Sequence, residues 1–234
     1  MSENRSIFRK NEGSSVEIRS EVDEFLESIK KGPTTDAHGR LIFALDATAS
    51  RQPTWDLACS LQGQMFQEVA SIGGLKVQLV YYRGLSECKA SRWISESGQL
   101  LRLMERLDCR AGRTQIEKIL VHAKRETAIL PVSALVFVGD ALEETTDRLF
   151  TEAHELGRLK VPAFMFQEGH APEVEHAFRE IARLTGGAYC RFDRGAAKQL
   201  GELLKAVARF AVGGVAALES RADPGSARLI SQLK

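Results

Sequence analysis

The sequence has almost no surplus of charge: 32 basic and 31 acidic side chains leave a formal net charge of +1 over 234 residues. A balance that close removes the electrostatic argument for nucleic acid or an anionic membrane as a partner. Cysteine is scarce and scattered. Cys59, Cys88, Cys109 and Cys190 form no CxxC pair and no secretory disulfide framework, and are expected to be reduced thiols of a cytoplasmic protein. Long apolar runs are missing too. The stretches near Val132 to Val138 and Phe210 to Leu218 are far shorter than the roughly 20 residues a membrane span requires. The start, Met1-Ser2-Glu3-Asn4-Arg5, runs into mixed charge rather than an apolar leader segment.

Signatures of common chemistries are also lacking. No G-x-G-x-x-G loop follows Leu45, and no G-x-x-x-x-G-K-[ST] phosphate loop occurs. The histidines (His38, His122, His154, His170, His176) have no H-x-x-x-H spacing, and no G-x-S-x-G elbow presents a serine nucleophile.

What is present is alternation. Residues 1–13 are polar and expected to be disordered. Ser14 and Glu17 then stand at capping-box spacing before a stripe of Ile18, Val22, Phe25, Leu26 and Ile29, so residues 14–37 read as an amphipathic helix and a polar linker. From 38 to 212, apolar runs expected to be strands (Leu41–Leu45, Leu75–Tyr82, Ser133–Val138, Val161–Phe166, Ala188–Phe192) alternate with stretches of helical spacing. Those helices are expected over Pro53–Ile72, Leu100–Leu107, Ile116–Ala123, Leu142–Leu159, Val174–Leu184 and Ala196–Val212. Cys88–Ile94 reads as a short antiparallel edge strand. Residues 213–234 lose periodicity and read as a loose tail with a short terminal helix around Ala227–Ile230. The pattern predicts an α/β fold: a doubly wound, mostly parallel, Rossmann-like sheet of order 3-2-1-4-5-6 with helices on both faces.

In such a sheet, ligands bind outside the carboxyl ends of the strands, at the switch point between strands one and four. The apolar run Leu41–Leu45 ends there in Asp46-Ala47-Thr48-Ala49-Ser50, and the fourth strand ends in Gly139-Asp140. Thr114, at a helix start, is placed to close over both. Carboxylates and neutral hydroxyls form an oxygen-only set suited to a hard divalent cation. Helix capping explains a single such residue equally well, but does not require two carboxylates at one crevice.

The ordered set Asp46-x-Thr48-x-Ser50, Gly112-Arg113-Thr114 and Phe137-Val138-Gly139-Asp140, with Thr185-Gly186-Gly187 before the last strand, resembles the von Willebrand factor A-type (VWA) domain and its metal-ion-dependent adhesion site. The resemblance implies bound Mg²⁺ or Mn²⁺. Thr48, Ser50 and Thr114 would offer hydroxyls, and Asp46 and Asp140 would hold coordinated waters or ligate directly. It further implies a binding module rather than an enzyme, whose protein partner supplies an Asp or Glu; AAA+ ATPases and other assembly factors are partners of this kind. Two positions depart from the family pattern: Thr48 stands where serine is usual, and Arg113 where a second glycine is common.

Two rivals stand beside this reading. A metal-independent scaffold would carry the same fold with a degenerate site. A haloacid-dehalogenase-like phosphatase needs D-x-D-x-T after its first strand, and Thr48 removes the second, acid–base carboxylate.

Overall fold

The structure is a computed structural model that describes residues 39–52, 74–192, 197–220 and 223–233. All of them lie in one compact unit, His38–Lys234, with which the description below is concerned. The helices expected at residues 14–29 and 53–72, and Cys59, lie outside the described residues.

Strand β1 (Gly39–Asp46) is buried along its whole length, and its continuous apolar run follows from being covered on both faces. Leu41, Phe43 and Leu45 point to one core layer, Ile42 and Ala44 to the other. It pairs in parallel with β2 (Leu75–Arg83) on one side and β4 (Ala134–Gly139) on the other. Parallel pairing continues through β5 (Ala163–Glu168) to β6 (Ala188–Phe192). A turn at Gly84, in the left-handed region with φ +62°, folds β3 (Glu87–Ala90) back antiparallel on β2. The six-stranded order is β3-β2-β1-β4-β5-β6, as the alternation predicts. The edge strand is shorter than expected and continues only as an isolated bridge between Ile94 and Val77.

One face is covered by α1 (Ser97–Glu105), α5 (Ala197–Glu219) and α6 (Pro224–Leu233), through Leu100, Met104, Leu204, Val207 and Leu229. The other is covered by α2 (Ile116–Ile129), α3 (Thr146–Arg158) and α4 (Pro172–Thr185), through Ile119, Leu120, Leu149, Leu156 and Phe178. The amphipathic spacing seen in the sequence is thus spent on a two-sided core. Among the described residues, no helix is long and apolar enough to cross a membrane.

Two helical expectations need correction. Helix α3 begins at Thr146 rather than Leu142, because residues 142–145 form a loop that reaches toward α2. The expected loose tail is helical and packed. Gly213 and Gly214 kink α5, with Gly214 at φ +62°, after which the helix resumes and buries Leu218. Asp223 then joins the two segments, accepting from Arg209 Nη1 at 2.8 Å and from the Ser226 amide at 2.9 Å. At the sheet margin, Gln232 Oε1 of α6 accepts the Tyr189 amide of β6 at 2.9 Å.

Candidate metal centre

Beyond β1 the chain stays pinned to its neighbours. The Ala47 amide donates to the Tyr82 carbonyl and the Arg110 amide to the Ala47 carbonyl, each at 3.0 Å, and Thr48 forms a parallel bridge with Arg110. The loop before α2 is therefore laid beside the first strand's exit. A 3₁₀ turn, Ala49–Arg51, follows.

Asp46 is fully buried, and both of its carboxylate oxygens are held. Oδ1 accepts the Thr48 amide at 2.7 Å, and Oδ2 accepts the Tyr82 hydroxyl at 2.9 Å. Burial pushes the Asp46 carboxyl above its ordinary range, with the charge of Asp140 adding to the rise, while the bonds from Thr48 and Tyr82 oppose it. The Tyr82 phenol is raised by its own burial and then by the Asp46 charge. Thr48 Oγ1 and Ser50 Oγ are hydrogen-bonded at 3.1 Å.

Asp140 ends the next strand. Gly139 before it allows a close approach: a Cβ there would stand 2.8 Å from the Phe137 ring and 3.4 Å from the Asp46 Cβ. Asp140 Oδ1 is buried and has no hydrogen-bond partner. A buried carboxylate oxygen with no donor calls for a partner, and a cation is one kind of partner that would satisfy it.

Thr114 is held by the loop that carries Asp140. Its Oγ1 accepts the Glu143 amide at 2.9 Å, and its amide donates to Glu143 Oε2 at 3.3 Å. Glu144 beside it receives the Ile116 and Glu117 amides on its two oxygens, each at 2.8 Å. It caps α2 from a distant segment, where Gln115 makes no side-chain cap. Gly112 makes the approach possible, since a Cβ there would lie 2.1 Å from the Gly84 carbonyl oxygen.

The sequence-predicted residues are thus gathered at the switch point to different degrees. Asp46, Thr48 and Ser50 are joined by hydrogen bonds, and Asp140 bears on Asp46 through its charge. Thr114 bonds to the Asp140 loop, and no hydrogen bond joins it directly to the other four. Among the described residues, no three His, Cys, Asp or Glu side chains converge, so a cation here would depend on the hydroxyls as well as on Asp46 and Asp140. The donor set is oxygen only, and it fits a hard divalent ion.

Sequence reasoning missed Tyr82, the positioning roles of Glu143 and Glu144, and Arg51. Arg51 is buried completely, and its Nε lies 3.3 Å from Glu168 Oε2 at the end of β5. His122 lies on α2, bonded to Gln78 Oε1 at 2.8 Å, apart from these residues.

The architecture has close counterparts of known shape. A von Willebrand factor type A protein from Catenulispora acidiphila matches at a TM-score of 0.61 and 15% identity, over 76% of this chain and 43% of that one. The chain has the VWA fold. The SpRpn10 VWA domain matches at a TM-score of 0.57 and 12% identity, over 70% of this chain and 93% of that domain. The pilus adhesin SpaC from Lactobacillus rhamnosus GG matches at 0.60 and 9%, over 74% and 30% respectively. Similarity at these identities carries the VWA fold and not the roles of residues. No protein-family model and no curated protein matches the sequence.

Proposed function

We propose that this chain is a cytoplasmic, divalent-metal-dependent protein-binding module that works by binding rather than catalysis. The observation that carries the reading is the buried, unpartnered Oδ1 of Asp140 beside the buried Asp46, at the strand ends where Thr48 and Ser50 present hydroxyls. Thr48, Ser50 and Thr114 would hold Mg²⁺ or Mn²⁺ with Asp46 and Asp140. The ion's chemistry is that of a Lewis acid that keeps several exchangeable waters, so an Asp or Glu of a protein partner can complete its shell. Around it, Tyr82 and the Thr48 amide orient Asp46, while Glu143 and Glu144 fix the Thr114 loop. An assembly factor, of which an AAA+ ATPase is one kind, fits this role. A phosphatase reading has no support in the second carboxylate it requires, because position 48 is threonine.

Calorimetric titration of the full chain with Mg²⁺ and Mn²⁺ tests the proposal. Saturable binding that is lost in Asp46→Ala and Asp140→Ala is expected; no heat at millimolar ion overturns it. Retention of partners from a lysate with Mg²⁺ but not with EDTA extends the test to the partner.

One observation favours the metal-independent scaffold: the Thr114 hydroxyl already accepts the Glu143 amide. In that reading Thr114 is purely a loop staple. Thr114→Val would then cost stability without touching partner binding, whereas the metal reading expects partner binding to fall with it.

A further inference from the structure

The far margin of the sheet carries a second feature. A cleft of about 430 Å³ opens between α1 and the segment joining it to β3. Arg92, Arg102 and Arg106 line it, over a floor of buried Ile94 and half-buried Leu103. None of the five candidate metal residues takes part.

The three arginines line one cleft, and among the described residues none of them is ion-paired to a carboxylate. Arg102 stands in the last turn of α1 and Arg106 is the residue that caps its C-terminus. Cations at a helix C-terminus complement the helix dipole, which accounts for those two charges. It does not account for Arg92, which comes from another segment. Arg92 Nη2 donates to Gln99 Oε1 at 3.2 Å, and Gln99 Nε2 is in turn held by Glu96 Oε2 at 2.6 Å. Glu96 thus bears on Arg92 through the Gln99 amide rather than by a direct ion pair. The floor is fixed as well, since Ile94 exchanges both backbone hydrogen bonds with Val77 at 2.8 and 2.9 Å.

We infer that this cleft is a binding site for a phosphate monoester carried on a protein segment. Three planar forks match the acceptor oxygens of a phosphate dianion. The apolar floor and the volume exceed what free phosphate uses, and suit the residues flanking a phosphorylated side chain. Nucleic acid is a poorer match: the cleft has no aromatic platform for bases, and the net charge of +1 provides no basic stripe.

Fluorescence anisotropy of the full chain in EDTA tests this, using a labelled five-residue peptide with a central phosphoserine between alanine and leucine. Saturable binding is expected, at least tenfold tighter than for the unphosphorylated twin. Arg102→Ala and Arg106→Ala should each weaken it at least tenfold. Arg106→Lys, which keeps the charge but loses the fork, should weaken it with the circular dichroism unchanged. Equal affinity for the twin, or undiminished binding by the arginine variants, overturns the inference. So does inorganic phosphate competing as well as the peptide mole for mole, or a single-stranded RNA displacing it more strongly.

Discussion

Asp46 is tightly held in the candidate centre, with one buried oxygen accepting the Thr48 amide and the other the Tyr82 hydroxyl. Tyr82→Phe removes one donor and leaves a desolvated carboxylate oxygen unpaired, so a loss of about 1–3 kcal/mol is expected, read as a lower urea midpoint. His122 makes a second residue-scale prediction. Burial holds its pKa below the ordinary value of 6.5, although Glu126 pulls the other way. The unfolded chain therefore takes up a proton more readily than the folded one, and this group's contribution is full above pH 6.5 and lost as pH falls through the lower folded pKa. Urea midpoints should drop between pH 7.5 and pH 5.5, and His122→Gln should flatten that dependence. At this scale legibility was uneven. Asp46, Thr48, Ser50 and Asp140 stand at strand ends, where an abrupt change from apolar to polar marks them. Tyr82 was hidden because its bond to Asp46 follows from the parallel register that sets Asp46 beside it, and a register is not written in one strand alone.

At the scale of elements, the loop after β4 holds the start of α2. Glu144 supplies the cap that the residue before α2 does not, and Glu144→Ala should cost about 0.5–2 kcal/mol in urea unfolding, as helix caps do. If the centre holds an ion, the same change should also weaken Mg²⁺ in calorimetry, because Thr114 hangs from the adjoining Glu143. Gly112→Ala is expected to be more damaging than an ordinary loop change, since the added carbon meets a backbone oxygen rather than a pliable side chain. The stretch from Leu142 to Leu159 keeps helical spacing throughout, yet its first four residues are not helical. Periodicity reports which residues face the core; it does not report that two glutamates are drawn off to serve another helix.

For the molecule as a whole, strand order and the two-sided core were readable because each apolar run is short, continuous and separated by helical spacing. The tail was readable in part: Gly213 and Gly214 leave helical geometry where the sequence expects a helix to end, and a terminal helix is present, but the helical segment between them was missed because it keeps no apolar periodicity. Leu229 is buried against the main core, so Leu229→Ala should cost about 2–5 kcal/mol in urea unfolding, whereas a loose tail would give no change.

The contact between Gln232 and the Tyr189 amide has a consequence for behaviour in solution. β6 is the last strand on its side of the sheet, and an amide facing outward from such a margin is a template on which another chain can add. An α6 side chain occupies that donor, so α6 withholds this amide from pairing with the edge of a second copy. Partial release of α6 would uncover the template while the sheet itself stayed intact. Self-association on gentle warming would then precede unfolding, and Gln232→Ala would bring it on at a lower temperature, visible as a rise in light scattering before any loss of sheet signal.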